Sequence, residues 1–301
     1  MRIVVTGREG QVVRSLLERG AHAGKEVVAL GRPELDLSGE PGAIVRAIEA
    51  AHPDVLVSAA AYTAVDKAES EPDLAFAVNE RGAAAVAKAA RLLGIPLVHL
   101  STDYVFDGAK DVPYVEDDAT GPTGVYGASK LAGERAVLAE HENSAILRTA
   151  WVYSPFGANF VKTMLRLGAS RDEIGVVADQ RGNPTSALDI ADGVLAVAAN
   201  LRRDDGAALR GIFHMTADGE ASWAEFAEAI FAQAASRGGP GASVKHLATA
   251  DYPTPAQRPG NSRLDCGKLA RTHNVRLPSW RPSTEEVVTR ILNDQVSGEH
   301  R

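Results

Sequence analysis

VVTGREGQVV (residues 4–13) decides the fold of this chain. A β-branched apolar run ends in Gly7, and a second glycine, Gly10, opens a stretch with helical spacing. Glycines at a strand-to-helix turn let the backbone approach a pyrophosphate, which meets the helix N-terminus. The spacing is Gly7–x–x–Gly10, with Val13 where a third glycine would permit close helix–sheet packing. Two glycines also fit an ordinary strand–helix turn, so the surrounding pattern has to carry the reading.

Outward from this loop, short apolar runs alternate with helical periodicity. EVVALG (26–31), DVLVSAAA (54–61), PLVHLST (96–102), SAILRTAWVY (144–153) and GIFHMTA (211–217) read as strands. Residues 11–18, 41–52, 73–94, 130–141 and 186–201 read as helices between them, with Ser186 a cap for the last. The strands are apolar almost throughout, as strands covered on both faces are. The expected fold is therefore α/β: a doubly wound parallel sheet of Rossmann type, with a smaller, partly discontinuous C-terminal lobe for substrate. Residues 1–153 with 186–217 are expected to form the cofactor domain, and 154–185 with 218–301 the second lobe. In that lobe 159–173 and a capped 222–235 read as helix, 240–282 as loop, and 284–293 as a last helix.

Composition bounds the function. The chain has 301 residues, 45% of them hydrophobic, and a formal net charge of −7. That is no footprint for nucleic acid, and an anionic ligand would need a local positive pocket. A single cysteine, Cys266, excludes a disulfide framework and points to a reducing compartment. No apolar run reaches the ~20 residues that cross a bilayer. With no signal peptide before the first strand, a cytoplasmic protein is expected. No His, Cys and carboxylate cluster has metal-site spacing.

The second strand runs into ALGRPELDL (29–37). A carboxylate directly after it would suit the ribose 2′-hydroxyl of NAD, but Gly31 and Arg32 stand there. Arg32, helped by Arg8, suits a 2′-phosphate, so NADPH is expected, with NADH a weaker alternative. Both arginines could instead face solvent. Asp36 could bond the adenine amino group or close a turn.

PTGVYGASKLAGERA (122–136) places Tyr126 four residues before Lys130, on one face of a helix. A nearby ammonium favours the phenolate and makes the phenol proton easier to donate. HLSTDYVFDG (99–108) ends a strand at the edge where ligands bind and offers the Thr102 hydroxyl there. Thr102 and Tyr126 could hold one carbonyl oxygen while Tyr126 protonates it and Lys130 tunes Tyr126. Asp103 could turn inward toward the substrate or merely close the strand end. Trp151 could pack on a sugar or base, or sit as a core aromatic between lobes. Arg258 and Arg263 lie in a proline-rich loop and could bind a diphosphate or remain solvated.

These stretches, with AAAYTAVDKAESEPDLAFAVN (59–79), LRTAWVYSPFGANFVKTMLRL (147–167), DQRGNPTSALDIAD (179–192) and RPGNSRLD (258–265), run over nearly the whole chain. Together they resemble the dTDP-4-dehydrorhamnose reductase family of extended short-chain dehydrogenase/reductases. The resemblance implies reduction of a C4 ketone on a nucleotide sugar, feeding surface-polysaccharide synthesis. It assigns catalysis to Thr102, Tyr126 and Lys130. It assigns cofactor contacts to Gly7, Gly10, Gln11 and Val12, to Arg32, Asp36 and Leu37, and to Ala59, Ala60, Ala61 and Tyr62. It places Trp151, Asn159 and Arg258 at the sugar nucleotide.

Val13, Ser58 and Gly124 depart from the family pattern, the last two where asparagine is common. Ser15 and Leu188 stand where metal-bridged dimers of the family carry glutamates, so a monomer or a metal-independent homodimer is expected. Tyr104 follows Asp103 where the related 4,6-dehydratases carry a second acid, which favours simple ketone reduction. A non-catalytic nucleotide-binding regulatory subunit, or a reductase of another nucleotide-linked 4-keto-deoxysugar, are the alternatives.

Overall fold

The computed structural model describes residues 1–298. β1 (Arg2–Thr6), β2 (Glu26–Leu30), β3 (Val55–Ser58), β4 (Leu97–Thr102), β5 (Ser144–Thr149) and the strand Gly211–His214 form one sheet. Its order is Gly211–His214, β5, β4, β3, β1, β2, and every pairing is parallel. β3, β4 and β5 are buried along their whole length, which explains their unbroken apolar character. One face is covered by a core that includes Leu16, Ile190, Val194 and Phe213, the other by one that includes Ile44, Ile48, Val86 and Ala90. The strand order reverses between β1 and β3, and in open sheets of this kind the loops after the two strands at such a switch point leave a crevice for a ligand.

A third core, with Tyr153, Met164, Phe226, Ile230, Trp280 and Val288, belongs to the C-terminal lobe. Its helix Trp223–Ala235 is held at the start by a capping box of Ser222 and Glu225. Residues 267–277 pack elsewhere: Leu269, Val275 and Leu277 join the first core beneath the main sheet.

Several boundaries differ from the pattern-based expectation. The run 144–153 is two strands: the chain turns at Trp151, whose φ is +48°, and Val152–Tyr153 pairs with Thr185–Ser186. The helix expected over 159–173 ends at Gly168, and Glu173–Val177 pairs in parallel with Ser243–Leu247, inside the stretch read as loop. Ser243–Leu247 is exposed at Ser243, Lys245 and His246 and only half-buried at Val244 and Leu247, so it lacks the apolar run that marks the central strands. The last helix is longer than its apolar pattern, Trp280–Gly298. No helix among the described residues is long and apolar enough to cross a membrane.

The glycine loop is shaped as its sequence implies. Gly7 has φ +100°, a conformation that favours glycine, and its N–H donates to Leu30 O at 2.7 Å. Val13 is buried, and its Cγ2 lies 3.3 Å from where a Gly7 Cβ would stand. A close helix–sheet approach is met about two turns later, at Gly20, where an added Cβ would fall 2.3 Å from Val27 Cγ2.

Candidate active site

The crevice is built from three strand ends. On one side, the helix Gln11–His22 starts at Gly10 with no side-chain cap and no acidic residue in its first turn. Its leading amide groups and dipole are thus left for an anion. On the other, Ala59 N and Ala60 N both donate to Thr6 Oγ1 at 3.0 Å, which fixes residues 59–62 against β1. Gly31 lies so close to the loop that a Cβ there would approach Arg8 Cγ to 3.0 Å. This small-residue cradle fits a dinucleotide pyrophosphate.

The other expected cofactor residues divide. Arg32 is exposed near Asp36, whose carboxylate accepts from Ser38 N and Ser38 Oγ and is held below its usual range chiefly by Ser38 and also by Arg32. Asp36 therefore closes a turn, the simpler of its two readings. Arg8 is held by Glu34 in an exposed ion pair. Leu37 is buried in the core and Val12 packs against the other face. Gln11 reaches across to the second lobe: Ser154 Oγ and Asn159 Nδ2 donate to its Oε1 at 2.8 and 3.0 Å. Asn159 is occupied throughout. Its Nδ2 also bonds Ser154 O, and its Oδ1 caps the helix Phe160–Gly168 by accepting from Lys162 N.

The helix Val125–Glu140 begins five residues earlier than its periodicity showed, so Tyr126 lies in its first turn. Gly124 supplies no cap. Glu69 does so instead, accepting from Val125 N at 2.9 Å, and a Cβ on residue 124 would stand 2.7 Å from Glu69 Oε1. Gly127 allows the helix to lie on the β4 end: its Cβ would fall 2.1 Å from Tyr104 O. A π-helical turn, Ala77–Gly82, delivers Asn79 to the centre. Asn79 Oδ1 accepts from Tyr62 N, and its Nδ2 donates to Tyr62 O and to Ser129 Oγ, which in turn donates to Tyr126 O. Asn79 thus ties the loop after β3 to the backbone of Tyr126, and no local pattern announces it.

Thr102 is a hydrogen-bonding neighbour of the Tyr126 phenol. Burial raises the Tyr126 pKa well above the ordinary tyrosine value, opposed by Thr102 and reinforced by Asp103. The expected lowering by Lys130 is not the controlling effect in this geometry. Lys130, 3% exposed, donates from Nζ to Leu100 O at 2.6 Å and lies 3.5 Å from His99 Nε2. Burial lowers its own pKa to about 8, against the pull of Glu134. One turn further, Glu134 receives Arg148 through two hydrogen bonds of 2.9 and 2.7 Å and is bonded by Ser101; both charges are buried.

The substrate side is aromatic. Tyr104 meets Tyr126 edge-on, with ring centroids 5.5 Å apart. Arg258 Nη1 lies 3.5 Å from Tyr104 Oη, while its Nη2 pairs with Asp66 at 2.7 Å. Trp151 stacks on Trp223 with centroids 3.6 Å apart and covers Gly182, where a Cβ would lie 2.4 Å from the indole. Trp151 therefore sits between lobes, half-buried, against the third core. Arg263 is taken up by Glu220, Asn261 and Asp111 O. Ser58 is buried, and Ser15 and Leu188 are packed inside.

Known proteins resemble this chain over nearly its whole length. The model of the RmlD substrate binding domain matches residues 1–293. A dTDP-4-dehydrorhamnose reductase from Sinorhizobium fredii is 53% identical over 97% of this chain and 98% of its own length. Among solved structures, the dTDP-4-dehydrorhamnose reductase of Clostridium acetobutylicum superposes with a TM-score of 0.89 at 36% identity, over 97% of this chain and 100% of that one. The Bacillus anthracis enzyme of the same name, solved in complex with NADP, gives 0.88 at 35% identity, over 96% and 99%. The chain belongs to the dTDP-4-dehydrorhamnose reductase family.

Proposed function

We propose that this chain reduces the C4 ketone of dTDP-4-dehydro-β-L-rhamnose to dTDP-L-rhamnose with NADPH, and that Tyr126 gives the proton. The observation that carries the reading is the meeting of Tyr126 and Thr102 hydroxyls at the β4 end, beside a cradle suited to a dinucleotide. The names of the full-length relatives supply the substrate, and the NADP complex of the Bacillus anthracis relative supports the cofactor.

Gly7, Gly10 and the leading amides of the helix Gln11–His22 would hold the pyrophosphate, Ala59 to Tyr62 the adjoining ribose side, and Arg32 the 2′-phosphate. The hydride that reduction requires is supplied by NADPH when bound. The chain's own part is the proton. As charge develops on the ketone oxygen, Tyr126 donates to it, the O–H bond of the phenol breaks and a phenolate remains. Burial keeps the phenol protonated until that moment. Lys130 Nζ carries three protons and commits one to Leu100 O. Its remaining protons would be the ones to hold the cofactor ribose hydroxyls.

Tyr126→Phe removes the proton and leaves the ring. Turnover of dTDP-4-dehydrorhamnose, followed by nicotinamide absorbance, is expected to fall ~10²–10⁴-fold while NADPH binding is retained. Undiminished turnover would remove Tyr126 from the mechanism. Failure of the wild type to form dTDP-L-rhamnose would reject the reductase reading as a whole.

A further inference from the structure

Tyr104 stands between the proton donor and a guanidinium. Its ring meets that of Tyr126 edge-on at 5.5 Å, and its hydroxyl lies 3.5 Å from Arg258 Nη1. Arg258 is therefore one aromatic ring removed from Tyr126. On a pyranose, C1 lies across the ring from C4. A sugar held with its C4 ketone at Tyr126 can thus carry the diphosphate on C1 to Arg258. Other cations of these segments are committed elsewhere, Lys67 to Glu71 and Arg263 to Glu220.

Arg258 has a partner of its own. Its Nη2 donates to Asp66 Oδ2 at 2.7 Å, and Asp66 Oδ1 accepts from Ala256 N at 3.2 Å. The Arg258 and Asp66 side chains are 24% and 43% exposed. A carboxylate that open to solvent is readily rehydrated, so parting it from the guanidinium costs little. A diphosphate offers the same guanidinium more charge and a bidentate acceptor. The backbone on either side is pinned. Ala256 is buried, Asn261 N donates to Gly108 O, and Pro259 packs so closely that a Cβ on residue 108 would fall 2.4 Å from Pro259 Cβ. A change of partner at Arg258 is thus a side-chain event that needs no movement of the loop.

We infer that Asp66 is a positioning residue that holds Arg258 in place of the substrate diphosphate, and that binding of the nucleotide sugar exchanges one anion for the other. The inference rests on the reading of the site as a nucleotide-sugar reductase. In the free protein Asp66 keeps the Arg258 side chain beside Tyr104, where the diphosphate has to meet it. On binding, the guanidinium passes to the diphosphate and the Asp66 carboxylate passes to water, keeping its bond from Ala256 N. On release, Asp66 takes Arg258 back, which favours departure of the product. Asp66 therefore lowers affinity for the diphosphate in return for a cation that is already oriented.

The test measures the dissociation constant of dTDP by calorimetry for wild type, Asp66→Asn, Arg258→Gln and the double variant, with NADPH binding as the control for folding. Asp66→Asn removes the charge and keeps an oxygen for Ala256 N. It is expected to tighten dTDP binding about 3–5-fold at low salt and less at high salt. Arg258→Gln should weaken dTDP binding ~10-fold or more and leave NADPH binding unchanged. In the Arg258→Gln background, Asp66→Asn should change dTDP binding less than about twofold. A merely structural Asp66 would give the opposite sign, because loss of its bonds would loosen the loop and weaken binding. Unchanged or weaker dTDP binding in Asp66→Asn overturns the inference, as does an equal gain with and without Arg258. If Asp66→Asn fails to bind NADPH, Asp66→Ser is measured in its place against the same outcomes. A wild type that binds NADPH but not dTDP would reject the nucleotide-sugar reading itself.

Discussion

Replacing Lys130 by methionine should stabilise this protein at neutral pH. Lys130 is 3% exposed, and burial lowers its pKa from the ordinary 10.5 to about 8. At about 1.4 kcal/mol per pH unit, that gap means the folded state gives up about 3 kcal/mol to keep the ammonium charged. Methionine fills a similar volume without the charge, and loses the bond to Leu100 O, which costs about 1 kcal/mol. The net gain is about 2 kcal/mol at pH 7. Its pH dependence has a definite sign. Between about 8 and 10.5 the unfolded chain binds the proton and the folded chain does not, so wild-type stability rises with pH across that window. Above 10.5 lysine is neutral in both states, and the variant should be about 1 kcal/mol less stable than wild type. Urea unfolding of both proteins at pH 7, 9 and 10.8 reads the difference directly. A variant less stable at pH 7, or a difference that stays constant with pH, would refute the reasoning. On the proposed role of Lys130 beside the cofactor, ketone reduction should be lost in the same variant.

Glu134→Gln strands the buried Arg148 guanidinium, whose Nη1 already lacks a partner, and should cost about 3–5 kcal/mol by urea unfolding. Glu134→Leu combined with Arg148→Met should recover most of that loss, and a double variant no better than the single one would contradict the desolvation account. Arg32→Ala should raise the NADPH dissociation constant ~10-fold and leave that for NADH nearly unchanged, measured by fluorescence titration. An equal loss for both cofactors would assign Arg32 elsewhere.

The sheet was legible because its strands are buried on both faces, and a strand with no solvent side must be apolar throughout. Ser243–Leu247 was not, since its exposed positions leave no such run. The same distinction separates the site residues. Tyr126 and Lys130 are close in sequence, and one helix turn predicts their proximity. Glu69 capping Val125, Asn79 bracketing Tyr62 and Ser129, and Gln11 meeting Asn159 span 56, 50 and 148 positions. Such partners leave no periodic trace, because each is a lone polar residue whose meaning depends on where another element ends.

Asp103 shows how far local reading reaches. As a residue at a strand end it suggests a turn, and its neighbour Tyr104 removes the acidic pair a dehydratase would need. Only the packing of the segment around Ser262 over the strand end buries the carboxyl and leaves Thr102 as its donor. Thr102 Oγ1 gives its proton to Asp103 and lies beside the Tyr126 phenol, a pairing that sequence order alone cannot supply, because it depends on which elements fold over the strand end.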